Sequence, residues 1–344
     1  MEKGKASVKL KRTLLIAISV LLALVLILVI VGVAYTESLL NRINKNPDDS
    51  TISQEEYQDY LHQTEESDPD FTGPTLDPGD VEWDQNDEVI TKQEHIINIL
   101  LIGQDRRPGQ GRQRSDVMLL CTLNTKTKEL TMTSFLRDLY VPIPGYDDNR
   151  LNACYAFAGM KLLNKCLENN FGVSVDGNLE VDFDGFAQII DLMGGVDMYL
   201  TQAEANFLNK YGGYSVSAGM NHLDGKKALL YTRNRYVGNG DFSRTERQRK
   251  VMTALIEKSK GMSLSQMKEL AETMLPMITT DLSNKEILNY MMEILPLVGE
   301  LKIKNITIPA EGTYKYASIR GMSVLVPDLA ANREILKSLK GESE

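Results

Sequence analysis

Histidine and cysteine are scarce, three of each in 344 residues. His62, His95 and His222 show no metal-ligand spacing, and no chemistry is assigned to them. No Ser-His or Cys-His signature accompanies them, so nothing points to a covalent intermediate on an activated side chain. Cys154 and Cys166 share one helical pattern, LNACYAFAGMKLLNKCLENNFG. Twelve residues of unbroken helix would separate them by about 18 Å, beyond disulfide reach. Buried free thiols are therefore expected, with a Cys121–Cys154 bond as the alternative. No internal repeat is evident.

Charge is missing in two places. Between Arg12 and Glu37 no charged residue occurs, and the run TLLIAISVLLALVLILVIVGVAYT would extend about 36 Å as a helix against a bilayer core of about 30 Å. The preceding MEKGKASVKLKR carries five cations and one acid, which places the N-terminus in the cytoplasm and the rest of the chain outside. A cleaved signal peptide, the alternative, would have an apolar region of about 7 to 15 residues ending in a small-residue site. Lysine and arginine are absent from 46–90, which holds fifteen acidic residues. Punctuated by proline (NPDDS, SDPDFTGPTLDPGD), this segment is expected to bury too little apolar surface to fold and reads as a solvated stalk. It also explains the net charge of −9: with +4 over 1–12, +1 over 37–45 and −15 over 46–90, residues 91–344 are left at +1. The expected organisation is a cytoplasmic tail (1–12), a transmembrane helix (13–36), an acidic extracytoplasmic stalk (37–92) and a globular domain (93–344).

Within that domain, HIINILLIG (95–103) reads as a buried central strand and DVMLLCTLNTKTKELTMTSF (116–135) as an antiparallel hairpin. Helical periodicity follows over 152–169. LEVDFDGFAQIIDLMGGVDMYL then reads as strand, short helix ending at Gly194 and Gly195, and strand. Further helices are predicted near 224–232, 242–260, 264–278, 284–297 and 328–340, with NITIP as a strand. The pattern predicts an α/β fold, a three-layer α/β/α domain around a mixed sheet.

Lysine is absent from YTRNRYVGNGDFSRTERQR (231–249), which holds five arginines. Of thirteen arginines in 91–344, eleven fall in two windows: Arg106, Arg107, Arg112, Arg114, Arg137 and Arg150, then Arg233, Arg235, Arg244, Arg247 and Arg249. A planar fork grips phosphate or carboxylate oxygens bidentately and lysine cannot replace it, so the segregation points to a bound oxyanion. Asp105, Arg106 and Arg107 follow the first strand, Arg114 and Asp116 open the second, and Arg137 and Asp138 end the third. Residues beyond neighbouring strand ends converge on one rim of a sheet, where α/β proteins keep ligand sites. Arg244, Arg247 and Gln248 share one face near a helix N-terminus, which itself favours anions. Arg106, Arg112 and Arg249 are expected at the surface. Asp105 and Asp116 read either as salt-bridge partners or as ligands of a hard divalent ion sharing phosphate oxygens. The loop RRPGQGRQR lacks the Lys-Ser/Thr of a P-loop.

These motifs give the chain its resemblance to the LytR-CpsA-Psr family over roughly 95–260. It is carried by NILLIGQDRR, RSDVMLL, TSFLRDLYVPIPG, RLNACYAFAG, VDFDGFAQIIDLMGGVDM, LDGKKALLYTRNR and DFSRTERQR, in that order. The resemblance implies a membrane-anchored phosphotransferase that moves an anionic glycopolymer from a polyprenyl-pyrophosphate carrier to peptidoglycan, making a phosphodiester. It implies that Asp105 and Asp116 hold Mg²⁺ or Mn²⁺ and are catalytic together with Arg114 and Arg137, which also reach the pyrophosphate, and that Arg233, Arg235, Arg244 and Gln248 bind it; Arg107, Arg150 and Arg247 are expected in the same binding set, Arg150 standing where relatives often have lysine. Leu136 and Arg249 replace a frequent proline and a frequent glutamine. A polyprenyl tail needs an apolar cavity, and the Met-rich QMKELAETMLPMI and ILNYMMEILPLV are candidates to line it. A lipid-phosphate-binding module or regulator without turnover remains the alternative. Nucleic acid is disfavoured as a partner, because the twelve-residue tail is too short for a DNA-reading face.

Overall fold

The computed structural model describes residues 35–45, 47–62, 73–84, 93–106 and 111–339. The expected transmembrane helix lies outside the described residues except for Tyr35 and Thr36. No helix among the described residues is long and apolar enough to cross a membrane.

Six strands form the central sheet in the order β10-β3-β2-β1-β6-β9. β1 (Ile96–Gln104) occupies the middle, antiparallel to β2 (Ser115–Asn124) and parallel to β6 (Gly177–Asp182). β3 (Glu129–Phe135) pairs antiparallel with β2 and parallel with β10 (Lys302–Ile308), and β9 (Thr279–Thr280) closes the other edge. Hence the sheet is mixed, as expected. β1 is buried along almost its whole length, which is why its sequence is an unbroken apolar run rather than an alternating one. Small two-stranded sheets pair β4 (Tyr140–Val141) with β5 (Asn149–Arg150), β7 (Val196–Leu200) with β8 (Gly219–Leu223), and β11 (Tyr314–Ile319) with β12 (Met322–Pro327).

Helices flank the sheet. Leu100, Ile102, Met118 and Leu120 pack in one core with α2 (Leu151–Phe171) and α9 (Leu329–Leu339); α1 (Gln54–His62) lies against the same core. A second core joins α3 (Phe183–Leu192), α4 (Gln202–Gly212), α5 (Gly225–Thr232) and α6 (Gly240–Ser259) to β7 and β8. α7 (Leu264–Met274) and α8 (Asn284–Ile294) follow, each started by a serine capping box.

Two expectations fail at α2, for one reason. The helix is broken at Ala158 (φ −153°, ψ 38°) and Gly159 (φ 65°, ψ −151°). The break brings Cys154 and Cys166 to a Cα separation of 6.9 Å, and they form a disulfide. The 18 Å estimate assumed a continuous helix. Gly159 is required there twice over: its φ suits glycine, and a Cβ would collide with the Asp48 carbonyl and with Asp49. The acidic segment is thus seated on the kink instead of being solvated along its described length. Ile52 N–H donates to Phe157 O at 2.7 Å, and the rings of Tyr57 and Tyr60 meet Phe157 edge-on at 5.2 and 4.8 Å. Arg112, expected at the surface, is 7% exposed; it donates to the carbonyls of Asp48, Ser50 and Ala156. Trp83 Nε1 donates to Asp148 at 2.7 Å and packs by Tyr140. Counting charge hid these aromatic anchors. Cys121 remains a free thiol, and burial pushes it up to about 12. Thiol titration of the denatured, unreduced chain should therefore give one reactive group, and three after reduction.

Candidate functional site

The register of the sheet assembles the site. Gln104 at the end of β1 pairs with Ser115 at the start of β2, which sets Asp105 and Arg106 beside Arg114 and Asp116. β3 runs antiparallel to β2, with Ser134 opposite Leu119, so Arg137 and Asp138 emerge on the same rim. The second arginine window arrives from the other core. Arg233 caps the end of α5, and Asp241 and Arg244 lie in the first two turns of α6.

At the centre, Arg137 Nη1 donates to Asp116 Oδ1 at 2.7 Å, while its Nε lies 3.6 Å from Asp138 and 3.5 Å from Asp241. Asp241 also receives Arg235 Nε and Arg244 Nη2, both at 3.1 Å. Arg244 reaches the Asp116 carbonyl at 3.4 Å, closing the ring between the windows. Arg150 Nε sits 3.5 Å from Asp138, and its Nη2 donates to Ser323 O. On the flank, Arg233 Nη2 meets Asp105 Oδ2 at 3.2 Å, with its guanidinium over the Phe183 ring. Arg233 and Arg235 therefore serve different carboxylates. Arg114 lies 4.3 Å from the ring of Tyr60, so α1, in the acidic segment, contributes a wall of the site.

Six guanidiniums (Arg114, Arg137, Arg150, Arg233, Arg235, Arg244) face four carboxylates (Asp105, Asp116, Asp138, Asp241), leaving a net charge of +2. The Nε atoms of Arg137 and Arg244 make no hydrogen bond among the described residues although buried. Buried donors without a hydrogen bond are expensive unless a ligand takes them, and at Arg137 the carboxylates of Asp138 and Asp241 offset that cost only by ion pairing at 3.6 and 3.5 Å. Burial lowers the Arg244 guanidinium to about 10, so it is still charged at neutral pH. Burial, helped by Asp241, pushes the Asp138 carboxyl up to about 6 against the pull of Arg137 and Arg244. At Asp241 burial is outweighed by Arg244, Arg137 and Arg235, which hold the carboxyl below its ordinary value.

The raised Asp138 carboxyl gives a signed pH effect. It is ionised at pH 7 and takes up a proton as pH falls through about 6, raising the cluster from +2 to +3. One charge at this range in high dielectric is worth about 1 kcal/mol, about fivefold in affinity. Sulfate, which does not titrate in this range, should bind about fivefold more tightly at pH 5 than at pH 7, and Asp138→Asn should flatten the profile. An unchanged profile in that variant contradicts the assignment.

Behind the arginines an apolar cavity of about 230 Å³ opens between the sheet and the helices. Leu101, Val117 and Leu179 supply the sheet side, and Phe186, Ile189 and Leu229 the helix side. Arg233 and Gln248 are part of its wall. Met274 and Ile278 from the first Met-rich stretch also line it; no residue of the second does, and there Met292 is 68% exposed. Glu180, 4% exposed, is the acidic residue in the wall; it accepts from Gln104 and Tyr155 and faces Arg106 at 3.7 Å.

Two arginines differ from expectation, and a third is not among the described residues. Arg247 does not join the cluster: its donors go to Glu204 (2.8 Å), Asn234 O (3.0 Å) and Val237 O (2.8 Å), so it clamps the loop that carries Arg235. Arg249 is buried, not at the surface, and donates to Ser134 at 2.6 Å. Arg107 lies outside the described residues. Sequence reasoning missed Asp241, Tyr60 and Glu180. For Asp241 a signal existed, an acid three residues before Arg244 at a helix start.

Solved structures share this fold, TagT among them. TagT bound to LIIa-WTA aligns over 75% of this chain and 96% of that one, with TM-score 0.62 and 27% identity. TagT with bound octaprenyl pyrophosphate lipid aligns with TM-score 0.57 and 25% identity, again over 75% and 96%. Among curated relatives, the regulatory protein MsrR of Staphylococcus aureus is 30% identical over 227 residues, 65% of this chain and 68% of its own. The polyisoprenyl-teichoic acid–peptidoglycan teichoic acid transferase TagU of Enterococcus faecalis is 31% identical over 229 residues, 64% of this chain and 73% of its own. The family model itself matches residues 53–341, beginning inside the acidic segment that packs on the domain, and the chain belongs to the LytR_cpsA_psr family.

Proposed function

We propose that the protein is a phosphotransferase that moves an anionic glycopolymer from a polyprenyl-pyrophosphate carrier onto peptidoglycan, leaving a phosphodiester. The observation that carries this is the convergence of both arginine windows, with two buried Nε atoms lacking a hydrogen bond among the described residues, beside an apolar cavity whose wall includes Arg233 and Gln248. This arrangement would give diphosphate and hydrocarbon tail adjoining, chemically matched places. The similarity to the teichoic acid transferase TagU and to TagT with its bound octaprenyl pyrophosphate supports the same substrate class.

The arginines hold the diphosphate through charge-assisted contacts that strengthen as negative charge builds on the departing phosphate. A peptidoglycan sugar hydroxyl attacks the phosphorus that bears the glycan. The new P–O bond forms as the bond to the bridging oxygen breaks, and polyprenyl phosphate leaves with that oxygen. Asp105, half-exposed beside Arg233, takes the hydroxyl proton. Asp105 and Asp116 stand at adjoining strand ends, and among the described residues no group of three or more His, Cys, Asp or Glu is placed to hold a metal ion. This sparse oxygen set fits a hard cation that draws its other ligands from phosphate and water. Mg²⁺ or Mn²⁺ held there would neutralise phosphate charge. The apolar run 13–36 would anchor the chain, with the domain outside the membrane.

Full-length protein in detergent micelles, given a polyprenyl-pyrophosphate glycan, peptidoglycan and Mg²⁺, should release polyprenyl monophosphate and form wall-linked phosphodiester. Tight lipid binding without either product would replace transfer with a non-turnover binding role.

A further inference from the structure

The first turn of α6 borders a second concavity, of about 490 Å³, that shares no lining residue with the apolar cavity. Phe242 forms part of it and directly follows Asp241, the carboxylate that gathers Arg137, Arg235 and Arg244. β10 runs parallel to β3 with Ile308 opposite Phe135, so the end of β10 that lines the groove opens on the rim that carries Arg137.

Its lining has a consistent chemistry. The rings of Phe242 and Tyr314 stack at 5.4 Å and 29°, and Tyr316, 48% exposed, extends the aromatic edge. Around them stand the Asn239 amide, the Thr307 hydroxyl and the Glu311 carboxylate. Asn239 is the N-cap residue of α6, and its side chain, exposed, makes no capping hydrogen bond. The lining contains one carboxylate and no lysine, arginine or histidine. A polyanion is thus disfavoured, while a neutral ligand rich in hydroxyl and amide groups is suited to it. The polarised C–H face of a pyranose meets the electron-rich face of an aromatic ring, and a few polar groups fix its orientation. The wall is preformed: Asn332, fully buried, accepts from Ala310 N–H at 3.0 Å and holds Thr313 at 2.9 Å.

We propose that this groove binds the neutral N-acetylhexosamine backbone of the acceptor glycan and presents its hydroxyl to the arginine cluster. The inference rests on the transferase reading above. The probe is the tetramer of N-acetylglucosamine, its binding to full-length protein in micelles followed by saturation-transfer NMR and calorimetry. Wild type should bind it, Tyr314→Ala should weaken it about tenfold, and Tyr314→Phe should retain it. Asn239→Trp, at an exposed position, should block the groove should Tyr314→Ala not fold. In transfer assays both blocking variants should raise acceptor KM about tenfold while polyprenyl-pyrophosphate affinity stays at the wild-type value. Equal tetramer binding by all variants overturns the proposal. So does competition showing that a phosphate-bearing glycopolymer occupies the groove in preference, or loss only of binding to anionic lipid vesicles, which would make the aromatic edge a membrane contact. Tetramer binding that persists in a protein without turnover would remove the transferase reading and leave the glycan groove standing.

Discussion

Arg137→Ala is expected to lower transfer by about 10²- to 10³-fold, the usual cost of deleting one preorganised contact to developing oxyanion charge. Arg137 is the group through which the two windows meet: it bonds Asp116 at 2.7 Å and lies 3.5 Å from Asp241, which in turn holds Arg235 and Arg244. Burial opposes its charge, but Asp138, Asp241 and Asp116 outweigh that and keep the guanidinium more firmly protonated than usual. Its alanine variant loses the contact to phosphate and leaves three carboxylates facing the space a dianion must enter. Arg137→Lys should fall between, about tenfold below wild type, because the charge survives and the fork does not. Polyprenyl phosphate release measures both, and a thermal melt separates misfolding from lost chemistry. Wild-type turnover in a folded Arg137→Ala protein contradicts the mechanism.

Ile189→Trp should reduce affinity for a long polyprenyl pyrophosphate about a thousandfold while leaving a short-chain pyrophosphate almost unaffected. Ile189 sits on α3 against the apolar cavity of about 230 Å³. An indole there displaces about one isoprene unit, five carbons at about 0.8 kcal/mol each, or about 4 kcal/mol. Tail-length dependence in wild type, and its loss in the variant, is the readout. Equal losses for short and long chains would place the tail elsewhere.

Much of this was legible from residues that act locally or along one strand. β1 announced itself by an unbroken apolar run, and the arginines by their segregation from lysine. Strand ends predicted the shared rim, and register then brought Asp105, Asp116 and Arg137 to it. What escaped depends on partners distant in sequence. Arg112 is buried because carbonyls of Ser50 and Ala156 accept its donors, and Arg249 because Ser134 does. Neither partner is visible from the arginine's own neighbourhood. Arg247 has ideal spacing with Arg244, but Glu204 and the 234–237 loop claim its fork. The break at Gly159 lies inside good helical periodicity, and only the Asp48–Asp49 backbone pressed against it shows why the chain turns there. The same contact explains why net acidity misread the segment before the domain: Ile52, Tyr57 and Tyr60 are few but placed to pack.

The central claim is that guanidiniums from both windows grip one diphosphate. A crystal structure of the protein with a polyprenyl pyrophosphate bound tests it most directly. The account predicts phosphate oxygens within about 3 Å of Arg137 from the first window and of Arg235 or Arg244 from the second, with the tail in the cavity behind Arg233. A diphosphate held by only one window, or lying away from the rim, would contradict it.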